Sequence, residues 1–87
     1  MEIVWDEQKN TWLKNTRGVS FEQVAGIIFA EQYLDIVENP TRENQEYFVI
    51  SLLNYTWLVP FLVDDRGRII LKTAYPSRKV HKRYGGK

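Results

Sequence analysis

The apolar residues of this chain change their spacing once, near Glu31, and that change limits the folds open to it. Before Glu31 they recur at helical spacing, and after it they alternate with polar residues or form short apolar runs, as strands do. With 87 residues, the chain has enough length for one domain and one core. We therefore predict a single α+β domain over residues 1–87, in which helices cover a sheet built by the second half of the chain.

The first part of the chain carries clear signals for helix ends. Ile3–Trp5 alternates and predicts a short strand, after which Asp6 is a suitable N-cap for a first helix. Gly18 supplies the residue that ends this helix, and Ser20 with Gln23 has the spacing of a capping box for a second helix. Four apolar residues of the second helix share the face that we expect to meet the core: Phe21, Val24, Ile27 and Ile28.

Four strands are predicted after Glu31, and short turns join them, so that consecutive strands pair antiparallel as a meander. Pro60 lies in the most apolar of these strands, which we expect at the centre, and its missing amide predicts a bulge or an exposed edge. Pro76 fits the first turn of a closing basic helix, Ser77 to Tyr84. The expected strands are residues 33–38, 46–53, 56–63 and 68–73, separated by turns at 39–44, 54–55 and 64–67.

The charges are strongly separated along the chain. Residues 66–87 contain eight of the twelve Lys and Arg and no Asp or Glu, whereas residues 1–65 contain all eleven acidic residues. A positive region of this kind attracts polyanions, and phosphate contacts are its usual use. A solvated helix that packs its apolar side on the sheet would also explain the spacing of the charges. It would not explain why residues 66–87 contain no acidic residue. Contact with nucleic acid is therefore the preferred interpretation.

The cations of the last strand and helix are predicted to form one surface. Strand side chains alternate, so Arg68 and Lys72 are expected on the same exposed face. Steps of about 100° in the helix place four cations in one arc, with His81 at its margin. These four residues are Arg78, Lys79, Lys82 and Arg83.

RNA can be cleaved without a metal ion when its 2′-hydroxyl attacks the adjacent phosphorus. The site must then accept one proton, donate another and stabilise the charge on the phosphorane. Lys72, Arg78 and Arg68 are the candidates for binding the phosphate and stabilising the transition state, since cationic side chains match its oxygens. Tyr84 or His81 is the candidate for the proton transfer.

Other kinds of site have weak support. The chain has no cysteine, which excludes a thiol nucleophile and a Cys-based zinc site. Asp64 and Asp65 are more typical of a turn than of a magnesium site. The tryptophans Trp5, Trp12 and Trp57 are expected to serve packing rather than base stacking. We expect no metal and no cofactor.

The order of motifs resembles the BrnT-type ribonuclease toxins of bacterial type II toxin–antitoxin modules. The likeness is best at Trp5–Asn10 (WDEQKN) and Arg17–Val24 (RGVSFEQV), and Gln45–Ile50 stands at the place of a family strand. It continues through Arg68–Ile70 and the basic helix to Tyr84. Arg17 replaces a histidine that the family usually carries, and the family's Ser-Ala-Arg is missing, which leaves Lys72 or Arg78 to supply its positive charge.

This resemblance implies a RelE-like fold, metal-independent cleavage of mRNA, and inactivation by a small antitoxin of the BrnA-like, ribbon-helix-helix kind. It makes Lys9 and Arg17 further candidates for binding RNA. The basic region itself adds four RNA-binding candidates to these two: Arg66, Lys79, Lys82 and Arg83.

Two other functions compete with the toxin. The same face could bind nucleic acid without cleaving it, or a purely structural domain could use it to dock an acidic partner. The N-terminus lacks the basic region of a signal peptide and the apolar runs are too short to span a bilayer, so we expect a cytoplasmic protein without membrane contact. The sequence leaves open whether the chain forms a homo-oligomer.

Overall fold

The computed structural model describes residues 1–43 and 45–85, and the secondary structure of those residues consists of three helices and six strands. Asn44, the last residue of the predicted 39–44 turn, lies outside the described residues. The α+β class predicted from the change in apolar spacing is confirmed. The elements in chain order are β1 (Ile3–Val4), α1 (Glu7–Arg17), α2 (Phe21–Phe29), β2 (Asp35–Glu38), β3 (Glu46–Leu52), β4 (Tyr55–Val63), β5 (Ile69–Leu71), β6 (Tyr75–Pro76) and α3 (Arg78–Tyr84).

The two N-terminal helices begin and end as their sequences predict. The Asp6 side chain accepts a hydrogen bond from the amide of Gln8, and Gly18 ends α1 in the left-handed conformation, with φ of 70°. Ser20 and Gln23 form the complete capping box of α2. Local side-chain chemistry therefore fixes both helices before any tertiary contact is considered.

A buried asparagine joins α1 to α2. The side-chain oxygen of Asn10, which is fully buried, accepts a hydrogen bond from the amide of Phe21 at 2.8 Å. Its side-chain nitrogen donates to Glu22, also at 2.8 Å. The two helices are thus held at a fixed angle over one face of the sheet. The core between them is apolar and includes Leu13, Phe21, Val24, Ile28, Phe48, Ile50, Trp57, Val59, Phe61 and Leu71.

The sheet is mixed, and this corrects the prediction of a purely antiparallel meander. The strand order is β1-β5-β4-β3-β2, and β2 to β5 form the predicted meander. However, β1 joins the edge of β5 in parallel, with Ile3 opposite Ile69. A two-residue strand has too little pattern to specify its partner or direction, so the sequence alone could not place it.

Pro60 divides one edge of β4 between two short strands. Leu71 of β5 pairs with Phe61, and Tyr75 of β6 pairs with Leu58. The Pro60 carbonyl accepts a hydrogen bond from the Lys72 amide, so the proline nitrogen, which has no hydrogen, points to the same edge. The ladder is interrupted there and the chain leaves the sheet between β5 and β6. The interruption expected at Pro60 is confirmed.

Several boundaries differ from the predictions: β2 begins at Asp35 rather than at residue 33, β5 spans Ile69–Leu71 rather than residues 68–73, and β6 was not predicted. The β3–β4 turn is made by Leu53 and Asn54, with φ of 55° and 59°, one residue earlier than expected. Two positive φ values are typical of the tight hairpin turns that match strand twist. Pro76 belongs to β6 rather than to the closing helix, and Ser77 is the N-cap of α3.

The helix α3 packs on the opposite face of the sheet from α1 and α2. The amide of Ser77 donates to the carbonyl of Thr56, which places α3 at the beginning of β4. The Tyr84 hydroxyl donates to Asp35 on the edge strand β2. No helix among residues 1–43 and 45–85 is long and apolar enough to cross a membrane.

Candidate nucleic-acid interface

The cations that the sequence predicted to form a single surface lie near two ends of β4. Arg68 precedes Ile69, which lies opposite Val63 at the end of β4, whereas Arg78 follows Pro76, which lies opposite Trp57. Those two levels of β4 are separated by roughly 20 Å at about 3.3 Å per residue. The single surface stays a prediction, and it would have to extend over this length, because β6 carries the chain along β4 before α3 begins.

Arg68 is engaged in organising the β4–β5 turn. Its Nε donates to Oδ2 of Asp64 at 2.7 Å, and Oδ1 of Asp64 accepts the backbone amides of Arg66 and Arg68. The Arg68 amide is the main reason why the pKa of Asp64 is lowered, and the Arg68 guanidinium adds to the effect. Arg66 is exposed on the same turn.

His81 and Tyr84 fasten α3 to the sheet. The His81 ring stacks on Tyr55 with centroids 4.1 Å apart, and its Nδ1 lies 3.0 Å from the hydroxyl of buried Thr56. Tyr84 donates to Asp35 at 2.7 Å, which raises the pKa of Tyr84 and lowers that of Asp35. Both candidates for proton transfer therefore have structural partners, and their catalytic role stays a prediction.

The four cations of α3 form the exposed arc that the helical period predicted. Inward-facing Val80, His81 and Tyr84 are half-buried against the sheet. The outward-facing residues are Arg78, Lys79, Lys82 and Arg83. A role of this arc in binding RNA stays a prediction.

A different cluster of cations lines a groove formed by α1, the β2–β3 loop, and the strands next to Lys72. The groove has a volume of about 530 Å³. Its described lining contains three cations and two aromatic rings, and none of these lining residues is acidic. We call it the basic groove, and it is lined by Lys9, Trp12, Asn39, Thr41, Arg42, Gln45, Tyr47, Pro60, Lys72 and Thr73.

Each cation of the basic groove comes from a separate part of the fold. Lys72 reaches it because Pro60 ends β5 and turns the chain out of the sheet. Lys9 lies on α1 and shares a helix face with Trp12, three residues later. Arg42 lies on the β2–β3 loop. Within residues 1–43 and 45–85, none of these three cations forms a salt bridge.

The β2–β3 loop that carries Arg42 is closed by hydrogen bonds of Asn39. The Asn39 amide donates to the carbonyl of Gln45 at 3.0 Å, and its side chain donates to the Gln45 side chain at 2.7 Å. The Asn39 side-chain oxygen accepts from both the amide and the hydroxyl of Thr41. These bonds join Asn39, Thr41 and Gln45, which lie on either side of Arg42 in the sequence.

Arg17 supports the groove from beside it. Its guanidinium carbon lies 4.8 Å from the centroid of the Trp12 ring, and Nη1 donates to the carbonyl of Ala74. Arg17 thus links the end of α1 to the segment that follows Lys72. The two positions suggested by the family resemblance, Lys9 and Arg17, lie in or next to one groove.

The lining of the groove includes a tyrosine. Tyr47 of β3 lies opposite Pro60 and lines the groove. Partial burial is the main cause that raises the pKa of the nearby Tyr75 on β6, and the Tyr47 side chain adds to the effect.

Sequence reasoning missed three residues of the groove: Trp12, Arg42 and Tyr47. Trp12 was expected to pack, but 47% of it is exposed, whereas Trp57 is buried as expected. The spacing of Lys9 and Trp12 on the polar face of α1 is the signal that could have found Trp12. For Arg42 and Tyr47 the sequence carries no such signal, because only the path of the chain brings them to Lys72.

No family model matches this chain, and neither a curated protein nor a solved structure matches it. The RelE-like or BrnT-like arrangement therefore stays a prediction. The geometry of the basic groove becomes the main observation on which a function can be based.

Proposed function

We propose that this protein is a metal-independent endoribonuclease of the toxin type that holds its RNA in the basic groove. The observation that carries this proposal is the meeting of Lys9, Arg42 and Lys72, from three parts of the fold, in a groove without acidic lining residues among those described. Cations that line one groove create a positive potential that attracts polyanions. A sugar–phosphate backbone provides the matching charge along a line.

The groove also contains groups suited to the cleavage step. Lys72 and Arg42 would bind the non-bridging oxygens of the scissile phosphate and stabilise the charge that develops as the 2′-hydroxyl attacks. Tyr47 is the phenol among the lining residues, and we assign to it the donation of a proton to the leaving 5′-oxygen, while the proton of the attacking 2′-hydroxyl passes to solvent water. Positioned proton transfer typically contributes about 10²–10⁴-fold, so electrostatic stabilisation would provide much of the rate.

A second candidate function is RNA binding without cleavage. The observation that favours it is the engagement of His81 and Tyr84 in contacts that hold α3 on the sheet. In that case the basic groove would grip RNA in the same way, and no product would form.

An RNA cleavage assay in EDTA separates these functions and tests the location of the site. End-labelled RNA is incubated with the wild type, with the double variant Arg42→Gln and Lys72→Gln, and with the matched variant Lys79→Gln and Lys82→Gln on α3. We expect the wild type and the α3 variant to cleave, and the groove variant to lose both cleavage and retention of RNA. Circular dichroism checks that each variant is folded.

The possible results have distinct meanings. Retention of RNA by the wild type without cleavage supports the second function. Loss of cleavage in the α3 variant, with full activity in the groove variant, would move the site to the basic arc of α3. Unchanged activity in both variants would exclude both the basic groove and the arc of α3 as the RNA site.

The proposed antitoxin has a separate surface to bind. An apolar pocket of about 320 Å³ lies beside α2, and Ile28, Ile36 and Phe61 are among its lining residues. Glu31 and Glu46 also line it, so it suits an apolar segment with basic flanks. It shares no lining residue with the basic groove, and an antitoxin bound there would inhibit by bulk or by altering the sheet rather than by filling the groove.

A further inference from the structure

Trp12 occupies an unusual position for a large apolar side chain. It lies on α1 next to the buried Leu13, yet 47% of Trp12 is exposed, and it lines the basic groove one turn after Lys9. Burying a tryptophan side chain in the core would be the favourable outcome for folding. Exposure of this ring beside three cations therefore points to a ligand that has both negative charge and a flat apolar face.

The ring of Trp12 is also held in a fixed orientation. The guanidinium of Arg17 lies over one face of it at 4.8 Å, and Arg17 is itself anchored by its hydrogen bond to the Ala74 carbonyl. Trp12 lines the groove whereas Arg17 does not, and 47% of Trp12 is exposed, so part of the ring that Arg17 leaves uncovered borders the groove. A planar partner can thus stack without first ordering the tryptophan.

We infer that the Trp12–Arg17 pair is a base-stacking site, and that the basic groove selects RNA with an unpaired base for this reason. The inference rests on the proposed binding of RNA in the groove. Bases inside a duplex are stacked and paired, so a protein reaches their flat faces only in single strands, loops or bulges. Lys9, Arg42 and Lys72 bind phosphates in either form, whereas Trp12 makes its contact only with the unpaired one.

The size of the effect follows from known stacking contacts. Stacking of one base on an aromatic side chain typically changes affinity by about 5- to 150-fold. We therefore expect this difference between a single-stranded RNA and a chain of the same charge that lacks bases. Trp12→Phe should keep part of this difference in affinity, since phenylalanine also has a flat ring, and Trp12→Ala should remove the difference.

Fluorescence anisotropy with three labelled probes of equal length tests the inference. The probes are a single-stranded RNA made uncleavable by 2′-O-methylation, an abasic sugar–phosphate chain with the same number of phosphates, and an RNA duplex. The proteins are the wild type, Trp12→Ala, Trp12→Phe and Lys72→Gln, with thermal unfolding as the control for folding. We expect the wild type to prefer the single strand, Trp12→Ala to bind it no more tightly than the abasic chain, and Trp12→Phe to recover part of the preference.

Failure of the inference and failure of the proposed function give different results. If Trp12→Ala keeps the preference for the single strand over the abasic chain, which carries the same number of phosphates, the stacking site is wrong while RNA binding stands. Lys72→Gln should weaken binding of the single strand and of the abasic chain by the same factor. If no probe binds, or if Lys72→Gln binds all of them like the wild type, the groove is not an RNA site and both proposals fall.

Discussion

Replacing Lys72 with Gln should reduce the dependence of RNA binding on salt by a predictable amount. The basic groove presents three cations, and each phosphate contact with a single strand contributes about −0.7 to the slope of log affinity against log salt concentration. The wild type should therefore show a slope of about −2.1, and Lys72→Gln about −1.4. Between about 50 and 200 mM salt, affinity should fall about 18-fold for the wild type and about 7-fold for the variant.

The assay is anisotropy of a labelled, uncleavable single-stranded RNA over a series of salt concentrations. Lys14→Gln is the matched control, because it removes the same charge from α1 at a residue that lies 3.9 Å from Glu22 and does not line the groove. We expect its slope to equal that of the wild type. An unchanged slope in Lys72→Gln would refute the assignment of Lys72 to a phosphate. Equal reductions in both variants would show that total charge, and not the groove, controls binding.

Three further predictions concern stability. The hydrogen bond from Tyr84 makes the pKa of Asp35 lower in the folded chain than in the unfolded chain. The bond therefore stabilises the fold at pH values above the ordinary aspartate pKa. This contribution is lost as the pH falls through the pKa that Asp35 has in the folded chain. Tyr84→Phe should therefore lower the free energy of unfolding in urea at neutral pH but not at strongly acidic pH; an equal loss at both would contradict this cause. Asn10→Ala leaves the first amide of α2 without its buried acceptor and should cost about 1–3 kcal/mol in the same assay, and a cost near zero would mean that water replaces the side chain. Leu53→Asn combined with Asn54→Gly supplies residues suited to two positive φ values, and should raise the melting temperature by about 4–8 °C in calorimetry; no increase would argue that the turn is unstrained.

The fold could be predicted as far as its local interactions reach. The capping box of Ser20 and Gln23 joins residues three apart, and the exposed arc of α3 follows from the helical period alone. The strand order of the meander follows from short turns between consecutive strands. The parallel pairing of Ile3 with Ile69 could not be foreseen, because it joins residues 66 positions apart through a strand of two residues.

The candidate site was predicted in its chemistry more than in its position. The sequence predicted a cationic surface that binds phosphates, and Lys72, Lys9 and Arg17 were among the candidate residues. It placed Lys72 with Arg68 and Arg78, whereas the structure has Lys72 beside Lys9 and Arg42. The cause is the interruption of the β4 ladder at Pro60. The sequence predicted that interruption, but it could not predict which residues would lie beside the segment that leaves the sheet after β5.

By itself, the sequence determined the α+β class, the ends of the helices α1 and α2 and the segregation of charge, because each depends on residue types within a few positions of one another. Only the tertiary structure decided that Lys9, Arg42 and Lys72 share a groove with Trp12, and that His81 and Tyr84 lie against the sheet. The groove cations are about 30 residues apart along the chain. Their meeting depends on strand register and on the path of the loops, which arise from packing the whole core and leave no periodic signal in the sequence.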